Sequence, residues 1–554
     1  MRLFFICLLL ASAVNLEAYK VLLCFPFPVR SMNSLGDGYA RHLINAGHEV
    51  TFITAFPKKQ NIPNLREIDV SDNYEIIANE NFNNISFILE NILDLSSDVE
   101  FLQRLTLDIA LKTLENKDVK ALMGNPKETF HVFIADLLET ELYAGFAALY
   151  NCPLIWAYSM GAHWVAMRLI DDPTNPAYSS DYFTTPIAPF SFTDRFRVLW
   201  ENVKWRYAKI FITQPKEEAA YISIFGPELK KRGMIMPDYD DLIYNASLVL
   251  SNDHHASGNT PKTPQNWKFV GGFHIEAPVK PLPEVSDLAT GRVKTIHQIM
   301  WFHHHHFSHK TSTAEHRDLK TIMDNAVHGV IYFSMGSVWN SELIPMQIID
   351  GLLETFGELK ATVIWKYEGN LPDVPKNVHL IKWAPQQSIL AHPNCKLFIT
   401  HGGLLSSTEA LHFGVPIIGV PISYDQFLNI EKAVTRGYAL QVALSYKLPE
   451  KLRSAINVVF DNPKYREQVK KLSKIYHDRP IAPGKELVHW IEHVIRTQGA
   501  PHLRSPANLV PLYQKAYLDI LMLAIAVIAL VIYLKNLVFG ESNKRQSKKK
   551  FKKN

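Results

Sequence analysis

Between Trp383 and Gln426 the sequence gathers side chains suited to a ligand that carries both negative charge and hydroxyl groups. The apolar run "KLFIT" passes directly into "HGGLLSST", so His401, Gly402 and Gly403 stand where a strand turns into a helix. The first N–H groups of such a helix lack partners and its dipole is positive at that end, which together bind phosphate. Gly402 and Gly403 let a ligand approach the backbone, Ser406 and Ser407 add hydroxyl donors, and His401 can donate to a phosphoryl oxygen. Glu409, about a turn further in, only accepts when ionised and suits the two hydroxyls of a ribose. Upstream, "KWAPQQSIL" offers Trp383 as a ring for a base to stack on and Gln386 for an edge or sugar contact. Downstream, "PISYDQFLN" offers Asp425 and Gln426 to sugar hydroxyls. Each element has a plain alternative: a turn, a core tryptophan, a polar surface loop. Taken in order, they describe a nucleotide sugar.

Such groups need strands to carry them. The first half of the chain alternates apolar runs ("KVLLCFPFP", "HVFIADLL", "CPLIWAYS", "ASLVLSND") with helical periodicity, and the second half repeats the rhythm ("GVIYFSMGS", "ATVIWKYEG", "VHLIKWAP", "KLFITHGG", "VPIIGVP"). Continuous apolar runs are strands buried on both faces, and their alternation with helices predicts parallel sheets. Two doubly wound α/β domains follow, with ligands beyond the carboxyl ends of the strands. A chain of 554 residues, 47% of them apolar, is long enough for both cores. Its net charge of +4 is too small and too dispersed for nucleic acid, the last eleven residues excepted. Cys7, Cys24, Cys152 and Cys395 form neither a CxxC pair nor a disulfide framework.

The two ends set the topology. Arg2, the run "LFFICLLLASAV" and the small residues Ala11, Ala13 and Ala18 read as a secretory signal peptide over 1–18, leaving a chain that starts near Tyr19. The stretch "AYLDILMLAIAVIALVIYL" predicts a transmembrane helix over 516–536, and the basic tail 537–554 places itself in the cytosol with the large preceding part lumenal. Lys550 and Lys552 resemble a dilysine retrieval signal of the endoplasmic reticulum, with a stop-transfer cluster as the alternative. Sequons at Asn84 and Asn245 suit a lumenal domain. Residues 285–317 break the rhythm: they hold seven of the 23 histidines and read either as a floppy insertion or as a metal-binding loop, and joining Glu284 to Asp318 leaves a continuous segment.

The ordered run "WAPQQSILAHPNCKLFITHGGLLSSTEALHFGVPIIGVPISYDQ" closely resembles the signature of the UDP-glycosyltransferase family, in its animal and particularly insect form. "GHEVTFIT", "GGFHIEAPVKPLPE", "GVIYFSMGS" and "WIEHVIRTQGAPHLR" extend the likeness over nearly the whole chain. The resemblance implies a GT-B fold: an acceptor-binding domain over 19–280, a UDP-sugar domain over 318–480, a segment 481–510 returning toward the first domain and the membrane, and a cleft between the domains. It implies lumenal conjugation of small lipophilic molecules by a membrane protein, with a UDP-sugar as co-substrate, no cofactor and no metal. By position Trp383 would face uracil, Glu409 the ribose, Ser337, His401 and Ser406 the diphosphate, and Asp425 and Gln426 the sugar. UDP-glucose is the preferred donor; the acceptor and any homo- or hetero-oligomer are left open.

Members of the family invert the anomeric centre in one displacement, with a base taking the acceptor's proton. By resemblance that base is a His after the first strand, oriented by an acidic residue that matches Asp136. Here the chain carries Met32 instead, after Ser31. His42 and His48 lie further along and are poor replacements. The expectation is therefore an enzyme restricted to acidic phenols, carboxylic acids or amines, with Asp136 or water accepting the proton. The alternatives are a catalytically weak binder of UDP-sugars or lipophiles, a variant that does not fold, and a membrane-anchored metal-binding protein built on the HHHH tract.

Overall fold

The structure, a computed structural model, describes residues 18–79, 89, 99–182, 184–258, 261–276, 278–282 and 319–551. The signal segment up to residue 17, Asn84, the His-rich stretch 285–317 and Lys552 lie outside them.

The first sheet holds seven described strands: β1 (Lys20–Phe25), β2 (Glu49–Thr54), β3 (Leu65–Asp69), β4 (Val132–Asp136), β5 (Leu154–Tyr158), β6 (Leu248–Ser251) and β7 (Trp267–Phe269). They lie in the order β3-β2-β1-β4-β5-β6-β7 and every pairing is parallel. The second sheet holds β8 (Val330–Ser334), β9 (Thr362–Lys366), β10 (Val378–Ile381), β11 (Cys395–Thr400), β12 (Ile417–Gly419) and β13 (Ala439–Gln441), in the order β10-β9-β8-β11-β12-β13, again all parallel. All five residues of β4, β5 and β8 are buried, which is why these strands read as unbroken apolar runs.

In both sheets the winding reverses after the third strand, opening a crevice beyond the ends of the two central strands. In the first sheet the reversal lies between β1 and β4, where Cys24 pairs with Ala135 and Asp136 is the last residue of its strand. In the second it lies between β8 and β11, where Ser334 pairs with Thr400 and the next residues are Met335 and His401. These two reversals position the site.

Helix Arg30–Asn45 leaves β1 and packs so close to the sheet that a Cβ on Gly36 would stand 2.6 Å from the ring of Phe52. The segment after β7 ties the halves together: Arg41 donates to the Phe273 carbonyl at 3.0 Å, the His42 ring nitrogen lies 2.9 Å from the same carbonyl, and Gln387 Oε1 accepts from the Glu276 N–H at 3.0 Å. Helix Pro483–Arg496 then returns to the first sheet, where Leu487, Ile491 and Val494 share a core with Val21, Leu23, Leu35 and Leu43.

A division after Arg504 separates a second compact unit. It contains the short helix Leu512–Lys515 and the 34-residue helix Leu518–Phe551. Within the latter, Leu518–Leu537 has a mean hydropathy of 2.4 and none of it is buried; among the described residues it is the one helix long and apolar enough to cross a membrane. It begins two residues later than the sequence pattern predicts, because Tyr517 sits at φ 54 and interrupts the helix there.

Candidate functional site

One cavity of about 1010 Å³ collects the residues that follow all four central strands: Met32 after β1, Leu138 and Glu139 after β4, Ser337 after β8 and His401 after β11. Residues after β10 and β12, Trp383 and Asp425 among them, complete it.

On the β8/β11 wall the glycines have specific work. Gly402 adopts φ +86 and a Cβ there would lie 2.4 Å from Ile430, so only glycine lets the strand turn into helix Leu404–Phe413. Gly336 and Gly403 flank the His401 ring, at which added Cβ atoms would approach to 2.5 and 2.7 Å. The imidazole is thus fixed in a slot. Burial, and secondarily the charge of Lys366, pulls its pKa down to about 4, so it is neutral at physiological pH and donates through one nitrogen only. Lys366 ends β9, donates to the Gly336 carbonyl at 2.9 Å and pairs with Glu368.

Glu409 is held from two sides. Gln386 Nε2 donates to one carboxylate oxygen at 2.6 Å and Gln387 Nε2 to the other at 2.9 Å, while Gln386 also reaches Ser406 at 3.1 Å and accepts from the Tyr332 hydroxyl at 3.2 Å. His274 Nε2 stands 3.7 Å from the same carboxylate. Asp425 accepts from Asn429 at 2.7 Å and from the Leu404 N–H; burial lifts its carboxyl to about 6 against these bonds. Gln426 spends its carbonyl oxygen on the Ile422 and Ser423 N–H groups at 2.8 and 3.2 Å, which leaves its amide nitrogen facing the cavity. Trp383 lines the cavity with the Arg30 guanidinium 6.0 Å and the Lys366 ammonium 5.9 Å from its ring centre.

The β1/β4 wall is more apolar. Met32 is half-buried and packs with Phe27, Leu105, Ile109 and Leu138 from the first half and Val338 and Tyr424 from the second. Beside it Asn33 accepts from Thr54 at 2.7 Å and donates to Asp37 at 3.2 Å. Asp136 is buried at the end of β4 and is not among the lining residues; among the described residues its Oδ1 has no hydrogen-bond partner, and burial lifts its carboxyl to about 7. Glu139, three residues on, does line the cavity, and its carboxyl is lifted to about 8.

The structure thus brings Met32, Ser337, Trp383, Gln386, His401, Gly403, Ser406, Glu409, Asp425 and Gln426 to one cavity. Gly402 lies behind it, as does Ser407, whose hydroxyl bonds the Gly402 carbonyl at 3.3 Å. His42 and His48 are outside it, the latter 3.2 Å from Glu492. Asn245 is exposed, and its side-chain oxygen accepts from Arg504. The sequence pattern did not single out Arg30, Glu139, His274, Lys366 or Gln387 as site residues. Gln387 stands in "APQQ", His274 in "GGFH" and Lys366 at the end of the strand run "ATVIWK", but none of these patterns marks them as ligands; Arg30 and Glu139 are brought in by the sheet topology.

A family model described as UDP-glucoronosyl and UDP-glucosyl transferase matches residues 308–553. UDP-glucosyltransferase 2 of Dactylopius coccus is 30% identical over 503 residues, covering 91% of this chain and 89% of that protein. UDP-glycosyltransferase UGT5 of the same organism is 30% identical over 572 residues and covers all of both chains. UDP-glucuronosyltransferase 2B1 of Rattus norvegicus is 30% identical over 270 residues, 49% of this chain and 44% of that one. Among solved structures, the calicheamicin glycosyltransferase CalG4 superposes with a TM-score of 0.51 at 15% identity, over 87% of this chain and 99% of its own. That likeness establishes the GT-B fold.

Proposed function

This chain belongs to the UDP-glycosyltransferase family, and from that premise we propose that it transfers a hexose, glucose foremost, from a UDP-sugar to a small lipophilic acceptor with inversion at C1. The observation that carries the reading is the convergence of both sheet reversals on one cavity whose two walls differ in kind: hydrogen-bonding groups after β8, β10, β11 and β12, and a mainly apolar lining after β1 and β4.

Uracil stacks on Trp383, and the ribose hydroxyls bind Glu409 in place of a glutamine amide. Ser337, His401 and Ser406 hold the diphosphate, and Asp425 with the Gln426 amide orients the sugar. The slotted, neutral His401 donates to the departing UDP without having to move, so its contribution grows as charge develops on the leaving oxygen. No cofactor enters this scheme. The acceptor lies against Met32. Methionine cannot take a proton, so acidic phenols, carboxylic acids and amines are the preferred acceptors.

Helix Leu518–Leu537 anchors the chain in the membrane of the endoplasmic reticulum with the globular part lumenal, where Asn84 and Asn245 become glycosylated. A second reading, a binder of UDP-sugar with little turnover, is favoured by Met32 together with Asp136, whose Oδ1 has no hydrogen-bond partner among the described residues.

The test is UDP release from UDP-glucose, UDP-glucuronate, UDP-galactose and UDP-xylose by the detergent-solubilised protein over phenols, acids, amines and aliphatic alcohols, alongside UDP-induced thermal stabilisation. Acceptor-dependent release supports the transferase. Stabilisation without release supports the binder. Tight zinc binding with no response to UDP overturns both in favour of a metal-binding protein.

A further inference from the structure

Beyond β4 the first sheet presents a carboxyl that the fold leaves unused. Glu139 is 1% exposed, lines the cavity, and among the described residues its Oε1 has no hydrogen-bond partner. It shares the lining with Met32, Leu138, Ser159, Met160 and Tyr182. A buried carboxylate oxygen without a donor is costly to maintain, and such atoms in a cleft mark functional groups.

The backbone beneath it is pinned with unusual force. Buried Lys209 donates to the Glu139 carbonyl at 2.9 Å and to both oxygens of Glu217 at 2.9 Å, and lies 2.5 Å from Glu141. Arg168 holds the other oxygen of Glu141 at 2.5 Å. Two cations therefore pair with Glu141, one of them also with Glu217, and fix the loop, while Glu139 Oε1 accepts no hydrogen bond from any described residue.

Two other buried groups near the cavity are weaker candidates. Asp136 does not reach the cavity. His274 does, but it stands against Glu409, the ribose position of the proposed site, and burial together with Arg41 lowers its pKa to about 3, which makes it a feeble base.

Resting on the transferase reading above, we infer that Glu139 is the catalytic base that replaces the missing histidine. As the acceptor oxygen or nitrogen forms its bond to C1 of the sugar, the bond from C1 to the β-phosphate oxygen breaks and its electron pair leaves with UDP. The acceptor's proton passes to Glu139 Oε1, giving a neutral carboxylic acid that returns the proton to solvent after product release. Burial is the main cause that raises this carboxyl to about 8; Glu141 and Asp181 add to the rise, while Lys209 and Arg168 oppose it. A base with that affinity for protons is well matched to a near-neutral compartment.

The experiment compares wild type, Glu139→Gln, Glu139→Asp and Asp136→Asn with UDP-glucose and a series of phenols of graded acidity, together with UDP-induced thermal stabilisation of each. Glu139→Gln is expected to lose about 10²- to 10⁴-fold in kcat/KM on the least acidic phenols and less on the most acidic, with UDP stabilisation unchanged. The wild-type rate should rise with pH through the titration of one group, a limb absent from Glu139→Gln and displaced in Glu139→Asp. If Glu139→Gln does not fold, the displaced limb of Glu139→Asp carries the test. An active wild type whose rate and pH profile survive both substitutions overturns the assignment alone. A wild type that binds UDP and turns over no acceptor overturns the transferase reading, and the assignment with it.

Discussion

Glu409 and Asp136 are both buried carboxyls beside the cavity, and they differ in company. Glu409 accepts from two glutamine amides, one of which also binds Ser406 and is bound by Tyr332. Asp136 has an oxygen with no partner among the described residues. These bonds fix the β8/β11 wall, the proposed donor wall, so that Glu409, Gln386 and Ser406 orient one another. Near the β1/β4 wall, the proposed acceptor wall, the chain keeps the buried acid that the family resemblance pairs with a histidine but not the histidine. Burial without a donor favours the neutral acid, hence the rise to about 7. On the proposed function, the contrast separates two properties that a family signature joins: holding the nucleotide sugar, and taking the proton from the acceptor.

The contrast is broken most severely from beneath the acceptor wall. Lys209→Met removes the cation shared by Glu141 and Glu217 and is expected to destabilise the fold by about 3–5 kcal/mol, read by denaturant unfolding, because it strands buried carboxylates. Stability unaffected by that change would mean the network does not hold the wall. Asp136→Asn should act with a sign set by pH. The folded carboxyl titrates at about 7, against an ordinary value of 3.8, so the stability available with the acid protonated is full below the unfolded value and drains away as pH rises through the folded one. The amide does not titrate. Asn should therefore be nearly neutral in acid and stabilising by up to roughly 4 kcal/mol above pH ~8. A melting-temperature difference independent of pH would contradict this. Glu409→Ala sharpens the other side: UDP affinity, by calorimetry, should fall about ten- to a hundredfold as the ribose acceptor is lost and two glutamine amides go unpaired. An unchanged affinity would remove Glu409 from the site.

The two walls were also unequally legible. Most of the proposed donor wall comes from one run of the chain, Trp383 to Gln426, with Ser337 and Lys366 added from outside it; in that run His401, Glu409 and Asp425 keep fixed offsets from their strands, so residue types and order were legible there. Both sheets were readable because strands buried on two faces leave continuous apolar runs. The acceptor wall draws on segments from Phe27 to His274 that only the β3-β2-β1-β4 order brings together. Glu139 in "DLLE" carries no local mark; its importance follows from Lys209, seventy residues away, binding its carbonyl. Gln426 was offered with Asp425 to sugar hydroxyls, and its oxygen also closes the loop at Ile422 and Ser423, a backbone need that residue type alone cannot reveal.

The most direct test of the account is the dependence of kcat/KM on acceptor acidity for wild type and Met32→His, measured as UDP release from UDP-glucose with UDP affinity monitored in parallel. The account predicts equal UDP affinity, a wild type confined to acidic phenols, carboxylic acids and amines, and a variant that extends to aliphatic alcohols with at least about a tenfold gain there. Equal turnover of aliphatic alcohols by both proteins would contradict it, because position 32 would then have no bearing on how the proton leaves.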